Sequence, residues 1–161
     1  MIFAANEGHT DTAAILIDKG ADINLKNNDG RTPLMCAATF GHTDTAAMLI
    51  DKGVDVNAET KFDATVLMQA AEKGDTDTVA TLIAEGADVN TQDTGGHTAL
   101  MQAASNAHTD MASMLIDKGA DVDAKDNNGR SALSWAEATR NRDLVAILKR
   151  HGNAKKSWFK R

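Results

Sequence analysis

At 161 residues and 42% hydrophobic content the chain can bury a sizeable core, but aromatics are only 4% and Tyr is absent, so Ala, Leu, Ile and Met must do the packing. One proline and 12 glycines exclude a proline-rich or low-complexity chain, and the lone Cys36 excludes a disulfide framework or a cysteine-based metal site. The net charge of −6 is uneven: residues 140–161 hold eight of the 17 Lys and Arg with Asp143 as their single acid, leaving a body of nine basic against 22 acidic residues that repels phosphate backbones and argues against nucleic acid as a partner.

Taken in order, the chain repeats itself. Ala4-Ala5-Asn6-Glu7-Gly8-His9 opens a pattern that returns in full as Gly30-Arg31-Thr32-Pro33-Leu34-Met35-Cys36-Ala37-Ala38-Thr39-Phe40-Gly41-His42. Its centre recurs 33 residues later as Thr65-Val66-Leu67-Met68-Gln69-Ala70-Ala71, again as Thr98-Ala99-Leu100-Met101-Gln102-Ala103-Ala104, and in worn form as Ser131-Ala132-Leu133-Ser134-Trp135-Ala136. In the full copy Thr32 is an N-cap, Pro33 suits the first helical position, and Gly41 supplies the left-handed residue that ends the helix. A second helix follows, with Asp44 in its first turn, Lys52 near its end, and a buried stripe of Ala47, Met48, Leu49 and Ile50; Gly53 closes it. An extended excursion from Asp55 then turns near Asp63, where Asn, Asp and Gly favour turns. Helices shorter than ~12–15 residues are marginal alone in water. Each copy must therefore bury its apolar stripe against the next, and stability becomes a sum over neighbours.

The run from Gly30 to His42, followed by Leu49-Ile50-Asp51-Lys52-Gly53-Val54-Asp55-Val56-Asn57, resembles the ankyrin repeat, and the resemblance extends over nearly all of residues 1–153. It implies an all-α solenoid of stacked antiparallel helix pairs with short β-hairpin-like loops. The repeats fall at about 1–26 (partial), 27–59, 60–92, 93–125 and 126–153, with a basic tail over 154–161. The resemblance further implies that the inner helices and loop tips line a concave face that binds another protein.

Departures from that pattern carry expectations of their own. Met35, Met68, Met101 and Ser134 stand where the family has a loop-tying His, so a ladder of sulfurs is expected in its place. Asp63 stands where Gly30, Gly96 and Gly129 stand, and Val66 replaces Pro; a non-glycine residue in a left-handed conformation costs ~1 kcal/mol or more, so the 58–66 loop is expected to be strained or reshaped. Ala107 and Arg140 replace the helix-ending glycine, which predicts less regular repeats toward the C-terminus.

The second helices barely vary, whereas the tips and the ends of the first helices vary freely. A constant frame presenting variable loops is the usual arrangement for recognition. The candidate partner-binding residues are Arg31, Thr39, Phe40, Lys61, Phe62, Glu72, Lys73, His97, Ser105, Asn106, Asn128 and Arg130, with Phe40 and Phe62 as hot spots because aromatics anchor interfaces. Lys26, Asn28, Asp29, Glu59, Ala64, Gln92, Thr94, Lys125 and Asn127 fall on the same surface, and the column Cys36, Gln69, Gln102 and Trp135 borders it.

Other chemistry finds little footing. His9, His42 and His108 are a whole repeat or more apart, so they read as caps of the second helices and not as metal ligands. No phosphate-cradling glycine loop, nucleophile elbow or paired zinc ligand occurs, so no catalytic residue, metal or cofactor is assigned and the chain reads as a non-enzyme. The Leu-x5-Asp-Ile/Val-Asn runs ending at Asn24, Asn57 and Asn90 resemble hydroxylation sites of ankyrin repeats, against the plainer reading that the Asn satisfies loop backbone. The tail, with Lys155, Lys156, Lys160 and Arg161 around Trp158-Phe159, reads as a cover for the last repeat or as a docking peptide. Met1 falls within the first helix, so an end without its loop exposes apolar surface and predicts end-to-end self-association. No apolar run approaches the ~18 residues of a membrane span, and with a single Cys the setting is read as cytoplasmic, secretion requiring an upstream signal. The expected function is a protein-binding adaptor; an inhibitor or immunity-type protein and an engineered scaffold are the alternatives.

Overall fold

The computed structural model describes residues 1–158, with side chains to Gly152. The described residues form ten helices: α1 (Ile2–Asn6), α2 (Thr10–Asp18), α3 (Pro33–Phe40), α4 (Thr43–Asp51), α5 (Val66–Lys73), α6 (Thr76–Ala84), α7 (Ala99–Ser105), α8 (Thr109–Asp117), α9 (Ala132–Ala138) and α10 (Arg142–Trp158). The odd-numbered helices pack on one another in succession and form one row. Helices α2, α4 and α6 form the second row, which α8 and α10 extend, and each first helix rests on the second helix that follows it. The architecture is an all-α repeat solenoid. In the loops, the described residues show a lone antiparallel bridge, Glu59 with Thr65. The expected boundary at residue 153 falls inside α10, and the side chains of the basic tail, with Phe159, Lys160 and Arg161 entire, lie outside the described residues.

The helix starts follow from the threonines. Oγ1 of Thr32, Thr65 and Thr98 accepts the backbone N–H of Met35, Met68 and Met101 at 3.3, 3.4 and 3.3 Å, satisfying a donor that has no partner inside the helix. Met35 Sδ accepts the Thr32 N–H in return at 3.4 Å. Thus the expected sulfur ladder is not what ties the loops: the Met35 sulfur bonds its own cap, and all three methionines are core filling. Ala37, Ala38, Ala70, Ala71, Ala103 and Ala104 are fully buried, and their small side chains let successive first helices approach closely. Leu34, Leu49, Leu67, Leu82, Leu100 and Leu115 fill the space between the rows.

The three non-glycine residues flagged by the repeat frame are left-handed. Asp63, Ala107 and Arg140 have φ of 56°, 59° and 58°, so the loop and helix-end shapes are kept at the expense of strain and are not redrawn. Toward the C-terminus the last helical turn shortens: α7 and α9 have seven residues where α3 and α5 have eight.

Candidate functional site

The loop tips form a continuous bonded row. Each tip turn closes on a side-chain oxygen at one repeat position: Asn27 Oδ1 accepts the N–H of Asp29 and Arg31, Asp93 Oδ1 those of Gly95 and His97, and Asp126 Oδ1 those of Asn128 and Arg130, all at 2.8–2.9 Å. Thr60 does the same with longer bonds, 3.3 Å from the Phe62 N–H and 3.1 Å from the Ala64 N–H. Neighbouring tips are then joined through the backbone, the N–H of Lys61 donating to Asp29 O, that of Thr94 to Phe62 O and that of Asn127 to Gly95 O. Lys26 Nζ donates to Glu59 O and Gln92 Nε2 to Lys125 O, each across one repeat. The tips are therefore a fixed edge, and their free side chains project from it.

On that edge Phe62 is 67% exposed, and at the far end of α3 Phe40 is 55% exposed with its ring stacked beside His42 at a centroid distance of 6.4 Å. The two aromatics are not brought together. Phe62 lies on the tip side, next in chain to Lys61, whose N–H donates to Asp29 O, whereas Phe40 lies the whole length of the eight-residue α3 from its cap, roughly 12 Å at 1.5 Å per residue. The half-buried Thr39 hydroxyl has two acceptors in reach of its single proton, Met35 O at 2.8 Å and Gln69 Oε1 at 2.7 Å, the second of which links α3 to α5. Lys61, Glu72 and Lys73 are exposed, as are Asn106 and Asn128; Asn106 Nδ2 donates to the half-buried Ser105 at Oγ. Arg31 is half-buried, its N–H held by Asn27. The bordering column is more buried than its place on the face suggested: Cys36 and Gln69 are covered, Gln102 and Trp135 partly so.

One group of predicted residues does converge. His97 Nδ1 lies 3.2 Å from both oxygens of Asp93, and its Nε2 lies 3.8 Å from Asp126 Oδ2. Asp126 is buried and also accepts Arg130 Nε at 2.8 Å. Burial alone would raise the Asp126 carboxyl, but the Arg130 N–H and guanidinium and the Asn128 N–H outweigh it and hold it below its ordinary value. The Arg130 guanidinium covers the Trp135 ring at 4.1 Å from its centroid, and His97 lies 6.3 Å from the same ring. The Trp135 indole N–H is buried and has no acceptor among the described residues. This cluster joins the third and fourth loops to α9.

Charge divides the molecule along the same lines. Lys26, Arg31, Lys61, Lys73, Lys125 and Arg130, six of the body's nine basic residues, lie on the tips or first helices. Most of the body's carboxylates lie on the second helices and the turns that leave them, with only Lys19, Lys52 and Lys118 among them.

With helix pairs, tips and caps repeating at one period, a family model described as ankyrin repeats (3 copies) matches residues 1–60 and 67–157. The chain belongs to the ankyrin-repeat family. Comparison with curated proteins finds no match. Ankyrin repeats are generally protein–protein interaction modules. No helix among the described residues of this ankyrin stack is long and apolar enough to cross a membrane, and no group of three or more His, Cys, Asp or Glu among them is placed to hold a metal ion.

One expectation about the ankyrin frame needs correction. His9, His42 and His108 occupy N-cap positions, but none caps its helix with a side-chain bond. Instead His42 Nε2 reaches back to Asn6 O and His108 Nε2 to Glu72 O, both at 3.0 Å, with each ring lying over the preceding repeat's left-handed glycine. Each imidazole thus satisfies a carbonyl of the preceding repeat in place of the N–H groups of its own helix. True caps appear where His is replaced: Asp75 accepts from Thr78 N–H and Asn141 from Leu144 N–H. The asparagines do satisfy loop backbone, as the plainer reading held, and the loop is that of the neighbouring repeat. Asn57 donates to Gly86 O and accepts the Asp88 N–H, and Asn90 does the same with Gly119 O and the Asp121 N–H.

Sequence reasoning left Asp126 out of the site, although an acid four residues before His97 and again before Arg130 was a readable signal. Cys36 is buried; burial pushes its thiol up against the opposing charge of Arg31, which leaves it a core residue.

Proposed function

We propose that the chain is a non-enzymatic adaptor that holds a protein partner against its loop tips and first-helix row, the concave face of the family. The observation that carries this reading is Phe62, an aromatic left exposed on an edge whose backbone is tied to both neighbouring repeats. A side chain on a preorganised frame binds without the ordering cost of a free loop. Phe40, Lys61, Glu72, Lys73, His97, Ser105, Asn106, Asn128 and Arg130 extend the surface across four repeats, with Arg31 and Thr39 beneath its first junction. Its near balance of charge suits an ordinary protein surface, whereas the acidic second-helix side suits basic ones. A cytoplasmic setting fits the single free thiol.

The test is capture of a partner followed by affinity measurement with Phe62→Ala and Phe40→Ala. A hot spot of 2 kcal/mol or more weakens binding by about 30-fold. Affinity unchanged in both variants would move the site off this face. If the captured partner is an enzyme or toxin, loss of its activity in the complex separates an inhibitor from an adaptor.

A further inference from the structure

The imidazoles that cross the repeat boundaries mark a position in the stack. His42 and His108 each stand in the groove between two successive repeats, where the ring lies over Gly8 or Gly74 and Nε2 reaches the carbonyl two residues before that glycine. At the Ala107 boundary Asn141 spans the groove instead, its Nδ2 reaching Ala107 O at 3.3 Å and Thr109 Oγ1 at 2.7 Å. The Gly41 boundary differs from all three. Asp75 holds the histidine position there, and a carboxylate has no proton to give a carbonyl. It accepts instead from Thr43 Oγ1, Thr78 Oγ1 and the Thr78 N–H, at 2.9, 2.6 and 3.1 Å. Thr39 O, the equivalent of Asn6 O and Glu72 O, is left with no donor among the described residues, and a Cβ on Gly41 would meet nothing within 4 Å. The groove at this boundary measures about 470 Å³, against about 310 and 390 Å³ where His42 and His108 stand.

We propose that this groove receives an arginine side chain of the protein partner, its planar guanidinium taking the slot that an imidazole fills in the neighbouring repeats. The proposal rests on the adaptor reading, since Lys73 of the proposed partner surface lines the groove and Phe40 directly precedes Gly41. The slot takes a flat group with an N–H to donate to Thr39 O, which imidazole and guanidinium both supply. Charge selects between them. Asp75 and Asp77 oppose the single ammonium of Lys73 along the groove. Thr39 O lies in the last turn of α3, the end of a helix that favours a cation. The start of α6, which would resist one, is already answered by the Asp75 carboxylate. A guanidinium keeps its charge at every working pH, and its several donors let it bond Thr39 O and a carboxylate at once.

Titration of the isotope-labelled full chain with capped arginine (N-acetyl-arginine amide) into the millimolar range, followed by NMR, tests this. The amide resonances of Gly41, Thr43 and Thr76 should shift saturably while those of Gly8 and Ala107 stay in place. Capped citrulline, equally flat but neutral, should bind about tenfold more weakly, because it lacks the charge-assisted bonds. Asp75→His should close the groove with its own ring, as His42 and His108 do, and remove the response with the helical circular dichroism unchanged; if that variant does not fold, arginine against citrulline on the unsubstituted chain decides. No saturable shift, an equal response to citrulline, or a response that survives in folded Asp75→His overturns the proposal. The probe needs no partner, so such a result removes this site and leaves the adaptor reading to the Phe62 and Phe40 variants.

Discussion

Gly41 and Gly74 hold the same repeat position with φ of 72° and 73°, yet they are constrained differently. A Cβ on Gly74 would meet the His108 ring at 2.9 Å, while one on Gly41 meets nothing within 4 Å, because Asp75 stands where a histidine would. Gly41→Ala should therefore cost only the left-handed penalty, about 1 kcal/mol, whereas Gly74→Ala should cost clearly more by displacing the imidazole and its bond to Glu72 O; urea denaturation of both variants checks the order. The converse change, Ala107→Gly, should raise stability by ~0.5–1 kcal/mol, since Asn141 and not a ring faces it. Asp126 gives a pH dependence with a definite sign. Its folded carboxyl is held below the ordinary value, so its contribution is present above the unfolded pKa of about 3.9 and is lost as pH falls through the lower folded pKa. Asp126→Asn should flatten the acid side of the stability–pH curve, measured by denaturation at stepped pH; an unchanged slope would mean the carboxylate is not held as the geometry shows.

At the scale of elements, each repeat is tied to the next by a small set of bonds at fixed positions. The Asn57 side chain bridges from its own loop to the turn after α6, and the tip backbone bonds do the same at the outer edge. Asn57→Ala should cost about 1 kcal/mol, the net worth of such exposed bonds, and the Asp88 amide should lose protection in hydrogen exchange while the first helices keep theirs. A protected Asp88 amide would mean that another acceptor takes over. Short helices that are marginal alone owe their order to this stapling and to the alanine-lined contacts between α3, α5 and α7.

For the whole molecule, the division of charge sets how binding responds to salt. A partner held by Phe62 and Phe40 on the near-neutral tip face should lose little affinity between low and physiological ionic strength. A steep salt dependence would instead place the partner on the acidic second-helix side. The helical rows, the cap positions and even the three strained residues were legible from the chain, because a repeat frame states at each position what its neighbours do. Asp63, Ala107 and Arg140 could be named as left-handed because glycine holds their place elsewhere. The roles of His42 and His108, and the loop that Asn57 and Asn90 serve, were not legible, since each acts across a repeat boundary and its sequence neighbours suggest a local role.

By itself the sequence determined the period, the helix pairs and the family, because local propensity and the 33-residue spacing leave one way to bury so many small apolar side chains. Only the tertiary structure decided which side chains remain free. Exposure depends on what the adjacent repeat places opposite each residue, and that separates Phe62 on its bonded edge from Cys36 and Gln69 beneath the surface.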